Sequence, residues 1–288
     1  MNQPEPKLPA NIETSVIYAL EEDVGEGDIT AKLIPPQTRG SATVVSREQA
    51  VVCGIPWFDR VFLQLDPSVQ TQWHVEEGQT VDADTVLCTL EGTARGLLTG
   101  ERTALNFMQL LSGTATIARR YANAVADSGC QVLDTRKTIP GLRAAQKYAA
   151  AVGGVTNHRT GLFDGILIKE NHLMAAGGID RAVKTARAMG HQLPVEVEVE
   201  TLEECRQALG AGADILLLDN FTLEELRAAV DLNRDREPRA LLEASGNISI
   251  DRLSDIAATG VDFVSVGAIT KHVRAIDLSM RFVFESIA

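Results

Sequence analysis

Cysteine is scarce in this chain of 288 residues: Cys53, Cys88, Cys130 and Cys205 stand far apart and form no C-x-x-C pair, which leaves a zinc site or a dithiol redox centre without support. Buried free thiols are the expectation. Basic charge is also in deficit, with 27 Lys and Arg against 39 Asp and Glu and a formal net charge of −12. That balance disfavours non-specific binding to nucleic acid or to an anionic membrane, because both reward a basic face. No apolar run approaches the ~18 residues of a membrane span, and the opening "MNQPEPKLPANIETS" has neither the basic start nor the apolar core of a signal peptide. A protein of the reducing cytoplasm is expected, with no nucleic-acid or membrane partner and with enough chain to bury a core without disulfide or metal staples.

What is present changes character along the chain. After a polar leader, "NIETSVIYALEED" puts Ile12, Val16, Ile17 and Leu20 on one helical face, with Asn11 as N-cap and "VGEGD" as the stop. From "SATVVSREQAVVCG" through "VQTQWHVEEGQTVDADTVLCTLEG", short β-prone runs and Gly or Asp turns surround an amphipathic "IPWFDRVFLQL", the pattern of a small α+β domain. Part of this stretch has the hairpin rhythm of biotinyl and lipoyl carriers, but it lacks the exposed lysine those carriers modify and is read as scaffold. "TGERTALNFMQLLSGTATIARRYANAVADSG" then spaces Leu105, Met108, Leu111 and Ala115 as a helical face, with Gly113 as a candidate break. A boundary near residue 115 gives a first domain of residues 1–115 and a second of residues 116–274.

Beyond residue 130 the rhythm is regular. "QVLDTRK", "GILIKEN", "PVEVEVE", "ADILLLDN", "ALLEASGN" and "VDFVSVGA" alternate with helical stretches such as "IDRAVKTARAMG" and "TLEELRAAV", which defines a parallel β/α architecture. A barrel is favoured over a doubly wound sheet because each strand candidate ends in polar or small residues, and barrel sites gather at the C-terminal strand ends.

Residues 132–172 reverse the overall charge: Arg136, Lys137, Arg143, Lys147, Arg159 and Lys169 face only Asp134, Asp164 and Glu170. Any one of these cations alone reads as a solvated surface charge. Clustered near strand ends, they read as an anion site. Lys169, directly after an apolar strand, suits a fixed positive charge or a Schiff base, and its cationic company favours the first. Arg offers two-pronged recognition of carboxylates and Lys a point charge, so the mixture suits a ligand with two carboxylates.

Glu198 and Asp219 close the next two strands. The alternating "VEVEVE" also reads as a half-exposed strand with Glu on its wet face. Asp219 at the end of a wholly apolar strand requires a partner, and two carboxylates with phosphate or sugar oxygens form a typical Mg²⁺ arrangement. "EASGNIS" and "SVGAIT" are glycine-bearing strand endings that let backbone N–H groups approach a phosphate, as in the last loops of many barrels. Together these features suit transfer from a pyrophosphorylated sugar to an acidic nucleophile.

At this level of detail, "DTRKT.PGLR...KYA...GG...HR.GL.D..LIK.NH", with "GERTALN", "VEVE", "LLDN", "EASGNI" and "VSVGA.T", resembles the quinolinate phosphoribosyltransferase family, from about "EDVGEGDIT" to "DLSMRF". The resemblance implies an N-terminal α/β sandwich domain, a C-terminal irregular or incomplete parallel β/α barrel, and a tail of about 275–288 returning to the first domain. It implies conversion of quinolinate and phosphoribosyl pyrophosphate, with Mg²⁺, to nicotinate mononucleotide, pyrophosphate and carbon dioxide on the route to NAD. Carried over onto this chain, Arg136, Lys137, His158, Arg159 and Lys169 line the quinolinate pocket with Thr135 beside them. Arg102 joins them from the partner subunit of a homodimer. Glu198 and Asp219 contact ribose hydroxyls and metal, and Ser245, Gly246, Asn247, Val266, Gly267 and Ala268 cradle the 5′-phosphate. The catalytic roles fall to Lys137, Lys169, Glu198 and Asp219.

Three rival readings stand beside this one. A relative with another acceptor acid would not need so many cations. An aldolase built on Lys169 would leave Glu198, Asp219 and the glycine loops without a purpose. A non-catalytic phosphate-binding module would not need the full set.

Overall fold

The protein is described by a computed structural model covering residues 6–284. The chain runs through α1 (Ile12–Val24), β1 (Arg39–Ser46), β2 (Ala50–Val51), α2 (Ile55–Leu65), β3 (Gln70–Trp73), β4 (Thr80–Val81), β5 (Val86–Thr93) and α3 (Ala94–Ala124). It continues through β6 (Gln131–Leu133), α4 (Arg143–Val152), β7 (Ile166–Ile168), α5 (Glu170–Ala176), α6 (Ile179–Ala188), β8 (Val195–Val199), α7 (Leu202–Ala211) and β9 (Ile215–Asp219). The last elements are α8 (Leu223–Asn233), β10 (Leu241–Ser245), α9 (Leu253–Ala257), β11 (Phe263–Ser265), α10 (Ala268–Lys271) and β12 (Leu278–Phe284). By contact the described residues divide into two compact units, one of residues 6–119, 138–154 and 269–284, the other of residues 120–137 and 155–268. A single cut near residue 115 does not describe this division, since the stretch around α4 packs with the first unit.

The first unit is an antiparallel sheet in the order β12-β1-β5-β3 with helices on it. β12, in the C-terminal tail, pairs with β1 from Gly40↔Phe284 to Ser46↔Leu278. Residues 285–288 of that tail lie outside the described residues. α2 presents Trp57, Phe58, Val61 and Phe62 to the core, a spacing that keeps one helical face apolar. Its first turn is held by Glu77, whose carboxylate accepts the N–H groups of Gly54 at 2.9 Å and Ile55 at 3.1 Å, the partner that exposed helix-start amides require.

Two helical details differ from the sequence expectation. On α1, Val16 is buried but Ile17 is 39% exposed, and Ala19 joins Ile12 and Leu20 against the core. Asn11 occupies the N-cap position without a capping side-chain hydrogen bond. α3 runs unbroken for 31 residues through Gly113, because the glycine marks a close approach: a Cβ there would stand 2.2 Å from the Arg274 carbonyl oxygen. Leu105, Met108, Leu111 and Ala115 are buried as expected.

The second unit is a six-stranded parallel sheet in the order β6-β11-β10-β9-β8-β7. Its first strand in sequence pairs with its last, Ser265↔Leu133, which is how a barrel wraps and a doubly wound sheet does not. Beyond β6 the ladder extends only to a parallel bridge, Leu133↔Thr156. Among the described residues no pairing joins that bridge to β7, so the barrel is incomplete. All four cysteines are free and buried, and burial pushes the Cys130 and Cys205 thiols up to about 12, where they are unreactive.

Candidate active site

Strand alternation puts residues two apart on one face. Parallel register aligns neighbours: Glu196 beside Ile215, Glu198 beside Leu217, Glu243 beside both Leu217 and Phe263, and Ser245 beside Asp219. At the C-terminal strand ends this face encloses a cavity of about 480 Å³, lined by Asp134, Thr135, Arg136, Lys137, His158, Arg159, Leu167, Lys169, Glu198, Leu217, Asp219, Glu243, Ser245 and Ser265. β7 to β11 each contribute a residue of their own, and β6 contributes through Asp134 to Lys137, which directly follow it. A hollow of about 470 Å³ opens among the strand starts, lined by Gln131, Ile166, Pro194, Ile215 and Phe263 among others, and His158, Arg159 and Glu243 border both spaces.

Lys169 follows β7 directly and makes an ion pair with Glu198. Asp219 accepts the Asn220 side-chain amide at 2.7 Å. The backbone turns sharply beside it, with positive φ at Asn220 (57°), Gly246 (101°) and Asn247 (44°). Gly246 cannot carry a side chain, since a Cβ would lie 2.2 Å from Asn220 Oδ1. Gly267 is similarly close to Lys137, whose Cδ would stand 3.0 Å from an added Cβ. Gly246 and Asn247 sit in the turn after β10, buried Val266 and Gly267 follow β11 and Ala268 opens α10, and none of them lines the cavity.

Asp134 is fully buried and accepts the His158 amide at 2.8 Å and the Asn157 side chain at 2.7 Å. His158 Nε2 lies 3.1 Å from Glu196 Oε2 and 3.4 Å from Glu243 Oε2, while its Nδ1 accepts the Arg159 amide N–H at 2.7 Å. Both ring nitrogens are thus engaged within the protein. Arg159 donates through Nη1 to the Gly165 carbonyl at 3.2 Å. Burial and the nearby Arg136 charge hold its guanidinium below the usual range, against the pull of Glu196 and Asp164.

The sequence reading left out Glu196 and Glu243. The strand is not half-exposed, as "VEVEVE" suggested, because Glu196 is 4% exposed. The available signal was the period of two: each residue lies two before an expected site residue, Glu198 or Ser245. Conversely, two cations of the 132–172 cluster belong elsewhere. Arg143 and Lys147 stand on α4 in the first unit, where Lys147 is buried. Arg102 is exposed on α3, also in the first unit.

Glu198 and Asp219 offer only carboxylate oxygens to the cavity, a donor set that fits Mg²⁺ held partly through water and ligand oxygens. Among the described residues no helix is long and apolar enough to cross a membrane.

An incomplete β/α barrel with cations, a pair of acids and glycine turns at its strand ends defines a class, an enzyme that handles small polyanions. Residues 28–112 match the quinolinate phosphoribosyl transferase N-terminal domain and residues 114–281 match the C-terminal domain of that family. The probable nicotinate-nucleotide pyrophosphorylase (carboxylating) of Synechocystis sp. is 44% identical over 265 residues, 92% of this chain and 90% of that one. The Mycobacterium leprae nicotinate-nucleotide pyrophosphorylase (carboxylating) is 41% identical over 91% of this chain and 94% of its own. Among solved structures, the nicotinate-nucleotide pyrophosphorylase from Francisella tularensis superposes with a TM-score of 0.92 at 46% identity, covering 98% of this chain and 100% of that one. The chain belongs to the quinolinate phosphoribosyl transferase family.

Proposed function

We propose that the chain is a pentosyltransferase that joins quinolinate to phosphoribosyl pyrophosphate with loss of carbon dioxide, giving nicotinate mononucleotide and pyrophosphate for NAD synthesis. The observation that carries this reading is the collection of Arg136, Lys137, Arg159 and Lys169 around one cavity in a chain of net charge −12. One unit-charge pair near 4 Å is worth ~4 kcal/mol at an effective dielectric of 20 before desolvation, so a dicarboxylate requires several cations.

The guanidiniums and ammonium groups hold the two ring carboxylates and orient the pyridine nitrogen toward the sugar. That nitrogen bonds to the anomeric carbon as the bond to pyrophosphate breaks. Positive charge develops on the ribose, and Glu198 and Asp219 stabilise it in a site partly shielded from water. The turns at Ser245 to Asn247 and Val266 to Ala268 hold the 5′-phosphate, with Thr135 at the pocket edge. The positive pyridinium nitrogen then stabilises the electron pair left on the adjacent ring carbon when its carboxylate departs as carbon dioxide, and that carbon uses the pair to take up a proton. Glu198 and Asp219, directly or through water, would hold Mg²⁺, which would supply charge neutralisation for the pyrophosphate. The chain works as a homodimer in the cytoplasm, with Arg102 completing the partner's pocket.

Purified protein incubated with Mg²⁺, phosphoribosyl pyrophosphate and ring-2-carboxyl-labelled quinolinate should release labelled carbon dioxide and nicotinate mononucleotide in equal amounts. Turnover of nicotinate with no use of quinolinate would replace this reading with that of a relative using another acid.

A further inference from the structure

Beneath the cations, Glu196 and Glu243 are 4% and 1% exposed, and Glu243 Oε1 is buried without a hydrogen-bond partner. Two carboxylates inside a barrel are costly unless they are compensated. A metal ion is the first occupant to consider, because donor atoms of His158, Glu196 and Glu243 lie within 4.8 Å of one another. The ring geometry opposes it. The Arg159 amide donates to His158 Nδ1, so the proton of the neutral imidazole sits on Nε2, the nitrogen that a metal would require bare.

We infer that Glu196 and Glu243 are positioning residues for the acceptor acid: they grip His158 Nε2–H, His158 Nδ1 holds the Arg159 amide, and the Arg159 guanidinium is thereby fixed near Arg136. The inference rests on the assignment of Arg136 and Arg159 to the acid pocket. The Arg159 amide donating to Nδ1 keeps that nitrogen unprotonated, so the single ring proton stays on Nε2, which faces the two carboxylates. Glu196 has a second effect. Its charge favours the Arg159 cation that burial and Arg136 disfavour, so it offsets the repulsion between two guanidiniums brought together for one dicarboxylate. The contacts that join Glu196, Glu243, His158 and Arg159 are made among these residues and not to the turns proposed for the 5′-phosphate. Their loss should act on one substrate only.

The test uses the full chain with Glu243→Gln and, separately, Glu196→Gln, varying each substrate in turn. The KM for quinolinate should rise on the order of tenfold while that for phosphoribosyl pyrophosphate stays within about twofold. Imidazole ¹⁵N signals of His158 should show an unprotonated Nδ1 in the unsubstituted protein and lose that signature in both variants. Equal changes in both KM values, no change in either, or a protonated Nδ1 in the unsubstituted protein would overturn the inference. If Glu243→Gln fails to fold, Glu196→Gln and the signals of the unsubstituted protein decide. Absence of turnover in the unsubstituted protein would count against the proposed reaction, and the His158 signals would still decide the positioning role.

Discussion

Arg159 carries more of the pocket than its charge. Its amide ends on His158, its guanidinium on the Gly165 carbonyl, and its neighbourhood is shaped by the loop that Asp164 folds. The Asp164 carboxylate accepts the N–H groups of Thr160 at 2.8 Å and Gly161 at 2.9 Å. Burial works to raise the Asp164 pKa, but these hydrogen bonds outweigh it and hold it below the ordinary 3.8. A carboxylate with a lower pKa folded than unfolded contributes stability that is present above its unfolded value and lost as pH falls through the folded one. Melting temperatures of the native chain and of Asp164→Asn, followed from about pH 6 to about pH 3, should converge at the acid end. A gap that stays constant would show that the carboxylate charge is not what holds the loop.

At the scale of elements, glycine has opposite meanings in two helices. In α3, an alanine at 113 gains ~1 kcal/mol of helix propensity but forces its Cβ against the Arg274 carbonyl oxygen, and overpacking of this kind costs about 1–3 kcal/mol. Gly210 in α7 has nothing within 4 Å of an added Cβ, so only the propensity gain applies. Urea denaturation should therefore find Gly113→Ala less stable and Gly210→Ala more stable than the native chain. Equal signs would show that the approach at Arg274 relaxes without cost. The same reasoning explains why a glycine that looked like a helix break from composition is a packing device.

For the whole molecule, the proposed dimer makes a separate prediction. If Arg102 serves the partner's pocket, a chain with Arg102→Ala and a chain with Lys169→Ala are each inactive alone. A mixed dimer of the two has one complete site. Random reassembly in equal amounts should restore about a quarter of the native sites, read by nicotinate mononucleotide formation. No recovery after verified subunit exchange would assign Arg102 to its own chain's site or to none.

Much of the protein was legible in one dimension. The alternation of apolar strands with amphipathic helices identified the parallel β/α unit, because hydrophobic period is a local property that survives in the sequence. Lys169 and Asp219 stood out because each directly follows, or closes, an apolar run where a charge needs a reason, and Glu198 stood out by its place near the end of the strand between them. Tertiary structure decided what period alone leaves open. "VEVEVE" has two faces, and only its place between β7 and β9 determines that Glu196 and Glu198 point inward, where burial makes the first a partner of His158. Glu243 is the same case on β10. Arg143 and Lys147 sit within eleven residues of Lys137 yet fold into the first unit, since helix packing and not chain proximity sets which space a cation faces. Sequence determined the elements and the chemistry available at their ends; the closing of β11 onto β6 determined which of those groups share one cavity.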